Sequence, residues 1–259
     1  MLPYLDSQQK IPTYGVCFFI GIIAAVIFAV ILVKKSSVKF EDLAYSTSFA
    51  LIGGIIGAKL LSILTSIDLI IKYNLDIVYI LKHGFVFYGG LIGGLLGYVI
   101  YAIVFKVSIL KLLDIAAACL PIGQVFGRIG CLCAGCCFGR PTDLPIGIIY
   151  TNPISQSTPA NIPLLPTQIF ESIYCLIIFI VLQILYRKFK DNKGIITTIY
   201  IISYGVCRFI NEFFRYDAER GFIGILSTSQ FISLILIIIG VAFLFLKKTT
   251  YYKKIEKAL

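Results

Sequence analysis

The chain has 259 residues, of which 59% are hydrophobic and only 14% are charged. Soluble globular domains carry about a quarter charged residues, so this composition excludes one and calls for a membrane. The net charge of +10 does not point to nucleic acid, which needs basic residues gathered on a folded soluble surface; here they fall in short segments between long apolar runs.

Met1 to Thr13 holds a single lysine, and no small-residue cleavage pattern follows the first apolar run, so that run is expected to stay as an anchor rather than be removed as a signal peptide. A transmembrane helix needs roughly 20 apolar residues. Seven stretches approach or meet that length, at about 14–33, 43–65, 84–105, 110–126, 167–186, 194–214 and 230–246. The expected fold is therefore all-α, a polytopic membrane protein with seven transmembrane helices in a single integral membrane domain over 1–259, with no internal repeat. Between the second and third spans, Leu69, Ile70, Tyr73, Ile77 and Ile80 recur at helical spacing, which predicts a short helix in the membrane interface over 66–83. The longest loop is expected over 127–166; it holds six of the nine prolines, and its second half has strand and turn character.

Lysine and arginine concentrate in short cytoplasmic loops. One set of alternate loops, from Lys34 through Lys106 and Arg187 to the tail beyond Lys247, holds fourteen basic residues, and the opposite set holds seven. That asymmetry places the N-terminus outside and the C-terminus in the cytoplasm, with the long loop at the outer leaflet.

Glycines punctuate the second and third spans. Gly53 and Gly57, and Gly89, Gly93 and Gly97 with Gly90 and Gly94, follow the four-residue spacing that lets membrane helices approach closely. Gly89 and Gly90 also adjoin the segment KHGFVFYGG, where a double glycine equally suits a pocket.

Three polar groupings sit where apolar residues cost less. GRIGCLCAGCCFGR carries Arg128 and Arg140 beside Gly127 and Gly130, and an arginine at membrane depth marks a functional site unless it is paired or hydrated. In the sixth span Tyr204, Arg208, Asn211, Glu212 and Arg215 share one helical face at spacings of three and four. The third grouping comprises Tyr14, Lys59, Gln168 and Glu171. An Arg208–Glu212 ion pair that pins two helices is one reading. The other is that Arg128 and Arg208 converge on a phosphate, because guanidinium forks match phosphate oxygens and stay charged and basic pockets between helices hold lipid head groups.

Cys17, Cys119, Cys175 and Cys207 lie in or beside apolar runs as small hydrophobes. Cys131, Cys133, Cys136 and Cys137 contain one CxxC and no second separated pair, a poor match to a zinc ribbon, so no metal site and no cofactor are expected. A loop disulfide on an oxidising outer face and plain packing of small residues both remain open.

Taken together, VFYGGLIGG (86–94), GRIGCLCAGCCFGR (127–140), PTQIFE (166–171) and YGVCRFINEFFR (204–215) resemble, in order and spacing, the motifs of prolipoprotein diacylglyceryl transferases. The similarity extends from IPTYGVCFFIG at 11–21 through STSQFISL at 227–234. The resemblance implies a membrane transferase of lipoprotein biosynthesis, which moves diacylglyceryl from phosphatidylglycerol to the lipobox cysteine thiol of a lipoprotein precursor, forming a thioether and releasing glycerol phosphate. It implies Arg128 and Arg208 at the phosphate, Glu212 orienting Arg208, and Tyr14 and Tyr204 lining the site. It also implies Gly89, Gly90, Gly127, Gly130, Arg140, Gln168, Glu171 and Arg215 around the substrate.

The chain departs from the family pattern in several places. Tyr88 stands where the HGG motif has histidine, Cys131 and Ala134 where GRxGNxxNGExxGR has asparagines, Cys136 where it has glutamate, and Leu165 where a histidine often precedes PxQ. A tyrosine beside arginines can serve as base when its pKa falls, which makes Tyr88 a candidate; His83, the one histidine, is the alternative. Two rivals share the lipid pocket: a transferase with another acceptor, and a non-catalytic phospholipid-binding or transport protein. A base separates catalyst from binder.

Overall fold

The computed structural model describes residues 3–6, 11–68, 70, 86–152, 161–216 and 221–256. Among them are seven helices, each over one of the expected apolar stretches: α1 (Thr13–Val33), α2 (Phe40–Thr65), α3 (Phe87–Val104), α4 (Ile109–Ala134), α5 (Thr167–Phe189), α6 (Ile195–Glu212) and α7 (Thr228–Glu256). Five are long and apolar enough to cross a membrane: α1, α2, α4, α5 and the Thr228–Thr249 part of α7. Helix α3 is apolar but shorter, and α6, at 18 residues, turns a polar face inward. Large apolar side chains such as Phe19, Ile55, Ile103, Ile184 and Phe245 point outward, as the lipid-facing surface of a membrane bundle requires.

One boundary near the long loop differs from expectation. The loop expected from residue 127 begins only at Gly135, because α4 runs on through Ala134, so Gly127, Arg128, Gly130, Cys131 and Cys133 are helical. Glycine in a helix interior costs only about 1 kcal/mol, which packing outweighs here. The helix stops where Gly135 takes a φ of 76° and the N–H groups of Gly135 and Cys136 both bond the Cys131 carbonyl, at 2.9 and 3.2 Å, a left-handed helix end that satisfies an otherwise orphaned acceptor. The interfacial helix expected over 66–83 lies almost wholly outside the described residues, as does His83. The strand-like character of the long loop is seen as β1 (Ile148–Ile149) paired antiparallel with β2 (Pro163–Leu164); a second hairpin, β3 (Phe222–Ile223) with β4 (Leu226–Ser227), precedes α7.

The chain divides into two compact units, Leu32–Leu113 and the remainder. In the first, α2 and α3 meet along a glycine seam. A Cβ on Gly53, Gly57, Gly89, Gly93 or Gly97 would run into backbone of the facing helix, so the four-residue spacing is spent on close helix contact. Asp42 accepts a 2.9 Å hydrogen bond from Tyr101 near the end of the pair.

The other unit contains α1 and α4 to α7. Its core is Ile122 and Val125 of α4 against Cys175 and Phe179 of α5, with Phe28 of α1 edge-on to Phe179 at 4.7 Å. Pro121 lies inside α4 and cannot donate a backbone bond. On either side of it, α5 side chains bond α4 carbonyls, Gln183 to Ala118 at 2.9 Å and Ser172 to Val125 at 3.3 Å. Asp114 reaches across to cap α6, accepting from Gly194 N–H at 2.6 Å and from the Thr197 N–H and hydroxyl, both at 2.8 Å. Beyond the helices, Gly139 N–H bonds Leu165 O, Arg140 N–H bonds Phe214 O and Leu165 N–H bonds Arg140 O. This backbone knot ties the ends of α4 and α6 to the start of α5. Gly139 must be glycine there, because a Cβ would lie 2.7 Å from Leu165 and 2.8 Å from Phe214 O.

Candidate active site

That knot places one polar cluster inside the unit. Glu171, in the second turn of α5 and 2% exposed, is its hub. Its Oε1 pairs with Arg128 Nη2 of α4 at 3.0 Å and accepts from the Tyr204 hydroxyl of α6 at 3.1 Å. Its Oε2 accepts from Asn211 Nδ2 at 3.4 Å and lies 4.0 Å from Arg208 Nη1. Arg208 is held more tightly by Glu212, at 2.7 Å one helical turn later, and donates from Nη2 to the Ser229 hydroxyl of α7 at 2.9 Å. Arg215 Nε lies 4.0 Å from the same Glu212 oxygen.

Three guanidiniums thus face two carboxylates, a formal surplus of one positive charge. A buried ion pair alone is weak evidence for stability, since desolvation offsets the attraction. A guanidinium that keeps unused N–H donors within such a carboxylate frame can meet an anion. Arg128 is the accessible member, with its side chain 21% exposed against 8% for Arg208. A guanidinium has five N–H donors, so the contact to Glu171 leaves Arg128 donors to spare.

Arg128 and Arg208 both lie against Glu171, which stands between them. Tyr204 joins them directly and stacks on Tyr200 at 5.8 Å. Glu212 is the carboxylate shared by Arg208 and Arg215. Gly130 is where α1 crosses α4 closely: a Cβ there would lie 3.1 Å from the Tyr14 ring and 3.2 Å from Cys17, which seats Tyr14 beside the Arg128 turn. Gly127 has open space where a Cβ would go. Gln168 is 1% exposed and holds the loop by donating to Cys136 O at 2.7 Å and the Tyr150 hydroxyl at 2.9 Å. Arg140 lies over the Phe214 ring, 5.6 Å from its centroid. Tyr88, Gly89 and Gly90 belong to the other unit, in the first turn of α3. Gly89 faces Gly57 in the glycine seam, while a Cβ on Gly90 would meet Ala58 at an ordinary 3.5 Å.

Sequence reasoning missed Ser229, Thr167 and Tyr150. Ser229 had a signal: Ser227 and Gln230 form a reciprocal cap, with Ser227 N–H donating to Gln230 Oε1 at 3.0 Å and Gln230 N–H to Ser227 Oγ at 3.2 Å. The pattern S-x-x-Q marks such a helix start, which puts Ser229 in the first turn of α7. Thr167 donates to Cys137 O at 2.7 Å, a contact no local pattern announces. Burial pushes the Tyr150 phenol up to about 12, which keeps it neutral beside Gln168.

The cysteines are all free thiols, and Cys131, Cys136 and Cys137 place their sulfurs within 4.8 Å of one another. Hydrogen bonds with Cys131 and Cys136, with Arg128 and Arg215 nearby, hold the Cys137 thiol well below the ordinary thiol range, and hydrogen bonds with Cys131 and Cys137 push Cys136 up. Cys137 also takes a φ of 59°, a left-handed conformation that costs a non-glycine residue about 1–2 kcal/mol.

Residues 3–246 match the family model described as prolipoprotein diacylglyceryl transferase. Over 233 residues the chain is 44% identical to a phosphatidylglycerol–prolipoprotein diacylglyceryl transferase of Clostridium tetani, covering 90% of this chain and 91% of the relative. A second such transferase, from Clostridium perfringens, is 39% identical over 232 residues, covering 90% of this chain and 89% of its own length. One from Campylobacter curvus is 31% identical over 258 residues, covering 91% and 89%.

Proposed function

Because the chain belongs to the prolipoprotein diacylglyceryl transferase family, we propose that it moves the diacylglyceryl group of phosphatidylglycerol onto the lipobox cysteine thiol of a lipoprotein precursor. The observation that carries the reading is the meeting of Arg128 and Arg208, from different helices, at the buried carboxylate of Glu171. In the reaction the acceptor sulfur attacks the terminal glyceryl carbon, a C–S bond forms, and the C–O bond to phosphate breaks with its electron pair going to glycerol phosphate. Charge grows on the departing phosphate, and donors fixed in advance near that charge lower the barrier.

Arg128, only partly buried and with donors to spare, contacts the phosphate. Arg208, locked by Glu212 and Ser229, supplies the second positive charge and holds Glu171 in register. Glu171 keeps the two guanidiniums from repelling each other before substrate arrives. The acceptor thiol has a reference pKa of about 8.5 and must lose its proton; the sequence offers Tyr88, at the position of the motif histidine, or His83 to receive it. Tyr14, Gly127, Arg140, Gln168 and Arg215 line or frame the substrate.

All seven helices span the bilayer of the cell membrane as one domain, with the N-terminus outside, the C-terminus in the cytoplasm and the site at the outer leaflet. The charge asymmetry of the loops supports that orientation. The test is complementation of a transferase-depleted bacterium, with precursor lipidation followed by mass spectrometry. The expected result is precursor heavier by one diacylglyceryl group; unmodified precursor beside well-expressed, membrane-inserted protein would overturn the reading.

A further inference from the structure

We propose that Cys131, Cys136 and Cys137 form a three-thiolate site for a zinc ion at the end of α4. The sulfurs lie within 4.8 Å of one another, and three sulfurs at the Zn–S distance of about 2.3 Å from one tetrahedral ion stand roughly 3.8 Å apart. Rotamer adjustment of that size closes the set.

The backbone is arranged to bring the three together. Helix α4 delivers Cys131 on its last turn, Gly135 reverses the chain in a left-handed conformation, and Cys137 holds a second left-handed conformation at φ 59°. An unfavourable backbone angle at a non-glycine residue persists where surrounding contacts enforce it, and such positions cluster at functional sites. Here Thr167 and Gln168 enforce it by bonding the Cys137 and Cys136 carbonyls, both at 2.7 Å. Those bonds occupy the backbone oxygens and leave the sulfurs as the turn's donors.

The electrostatics fit a zinc thiolate. Three thiolates with Zn²⁺ carry one negative charge, and Arg128 and Arg215 both act on Cys137. Coordination releases the thiol protons to solvent as the Zn–S bonds form. Two of the three thiols are only partly buried, which leaves an entry path and a fourth position for water or another ligand, the open arrangement of three-ligand zinc sites. Cys133 is turned away from the trio toward Cys17, its hydrogen-bond neighbour, and is not a ligand. A bound ion would fix the turn of α4 that carries Arg128, so occupancy would stiffen the phosphate-facing arginine.

The test uses the full chain, purified anaerobically in detergent, stripped with chelator and returned to zinc or to cobalt as a coloured probe. The expected result is about one zinc per chain, a sulfur-to-cobalt charge-transfer band, and protection of three thiols from maleimide. Cys136→Ser and Cys137→Ser should each lose the band, and Cys133→Ser should keep it. Should a serine variant fail to fold, mapping of the protected thiols on the native chain decides the matter. No zinc uptake by the native chain, protection that misses these three cysteines, or a disulfide joining two of them in fresh protein would overturn the proposal. Each readout is independent of transfer, so failure here and failure of the transferase reading are distinguishable.

Discussion

The α2–α3 seam and the Glu171 cluster are opposite solutions to joining helices among lipid. In the seam, Gly53, Gly57, Gly89, Gly93 and Gly97 remove side chains so that backbone touches backbone, and stability comes from contact area. In the cluster, α4, α5, α6 and α7 are joined by Arg128, Glu171, Arg208 and Ser229, and desolvation nearly cancels what the charges gain. The seam is a structural device whose every position tolerates one residue type. The cluster keeps costly charge in place, and under the proposed function the return is an arginine with unused N–H donors for a phosphate.

Substitutions break this contrast in graded ways. The largest effect is expected from Arg128→Ala, a loss of transfer of about 10²–10³-fold, the scale of removing one donor that stabilises developing charge. Membrane insertion should be unchanged; a folded variant within a few-fold of native activity would remove Arg128 from the reaction. Glu171→Gln comes next. It leaves Arg128 and Arg208 without their shared carboxylate, and removing one partner of a buried pair costs about 3–5 kcal/mol, so thermal stability and transfer should fall together. An unchanged melting temperature would mean that the ion pairs are not the frame.

Gly93→Ala should act on the seam alone. Overpacking costs about 1–3 kcal/mol, read as a lowered melting temperature without change in the apparent affinity for phosphatidylglycerol. A selective loss of that affinity would show that the seam also serves the substrate. The smallest effect is expected from Asp114→Ala, which removes the cap on α6 and costs about 1 kcal/mol with transfer retained, measurable by thermal unfolding.

The two regions were also unequally legible. Helix positions and the glycine seam could be read from runs and four-residue spacing, because those patterns are local. Arg128 and Arg208 announced themselves as charges among apolar residues, and Glu212 by its place one turn from Arg208. Glu171 as the hub was hidden: nothing in PTQIFE says that a carboxylate on α5 stands between arginines of α4 and α6, since the geometry depends on a knot of backbone bonds at 139, 140, 165 and 214. The extension of α4 through Ala134 was missed because Gly127, Arg128 and Gly130 look like loop residues. Gly130 is instead the crossing point with Tyr14 of α1, and tertiary contact overrides weak local propensity. The cysteine trio was unreadable for the same reason: its spacing matches no metal motif, and only the two left-handed turns bring the sulfurs together.

Under the proposed function Arg128, seated by Glu171, takes the lipid phosphate. Native mass spectrometry of the detergent-purified chain titrated with phosphatidylglycerol, beside folded Arg128→Ala, tests it most directly. The native chain should carry a lipid-bound species that falls by at least about tenfold in the variant, the loss of roughly 1.4 kcal/mol or more from one charge-assisted contact. Equal occupancy in the two proteins would contradict it.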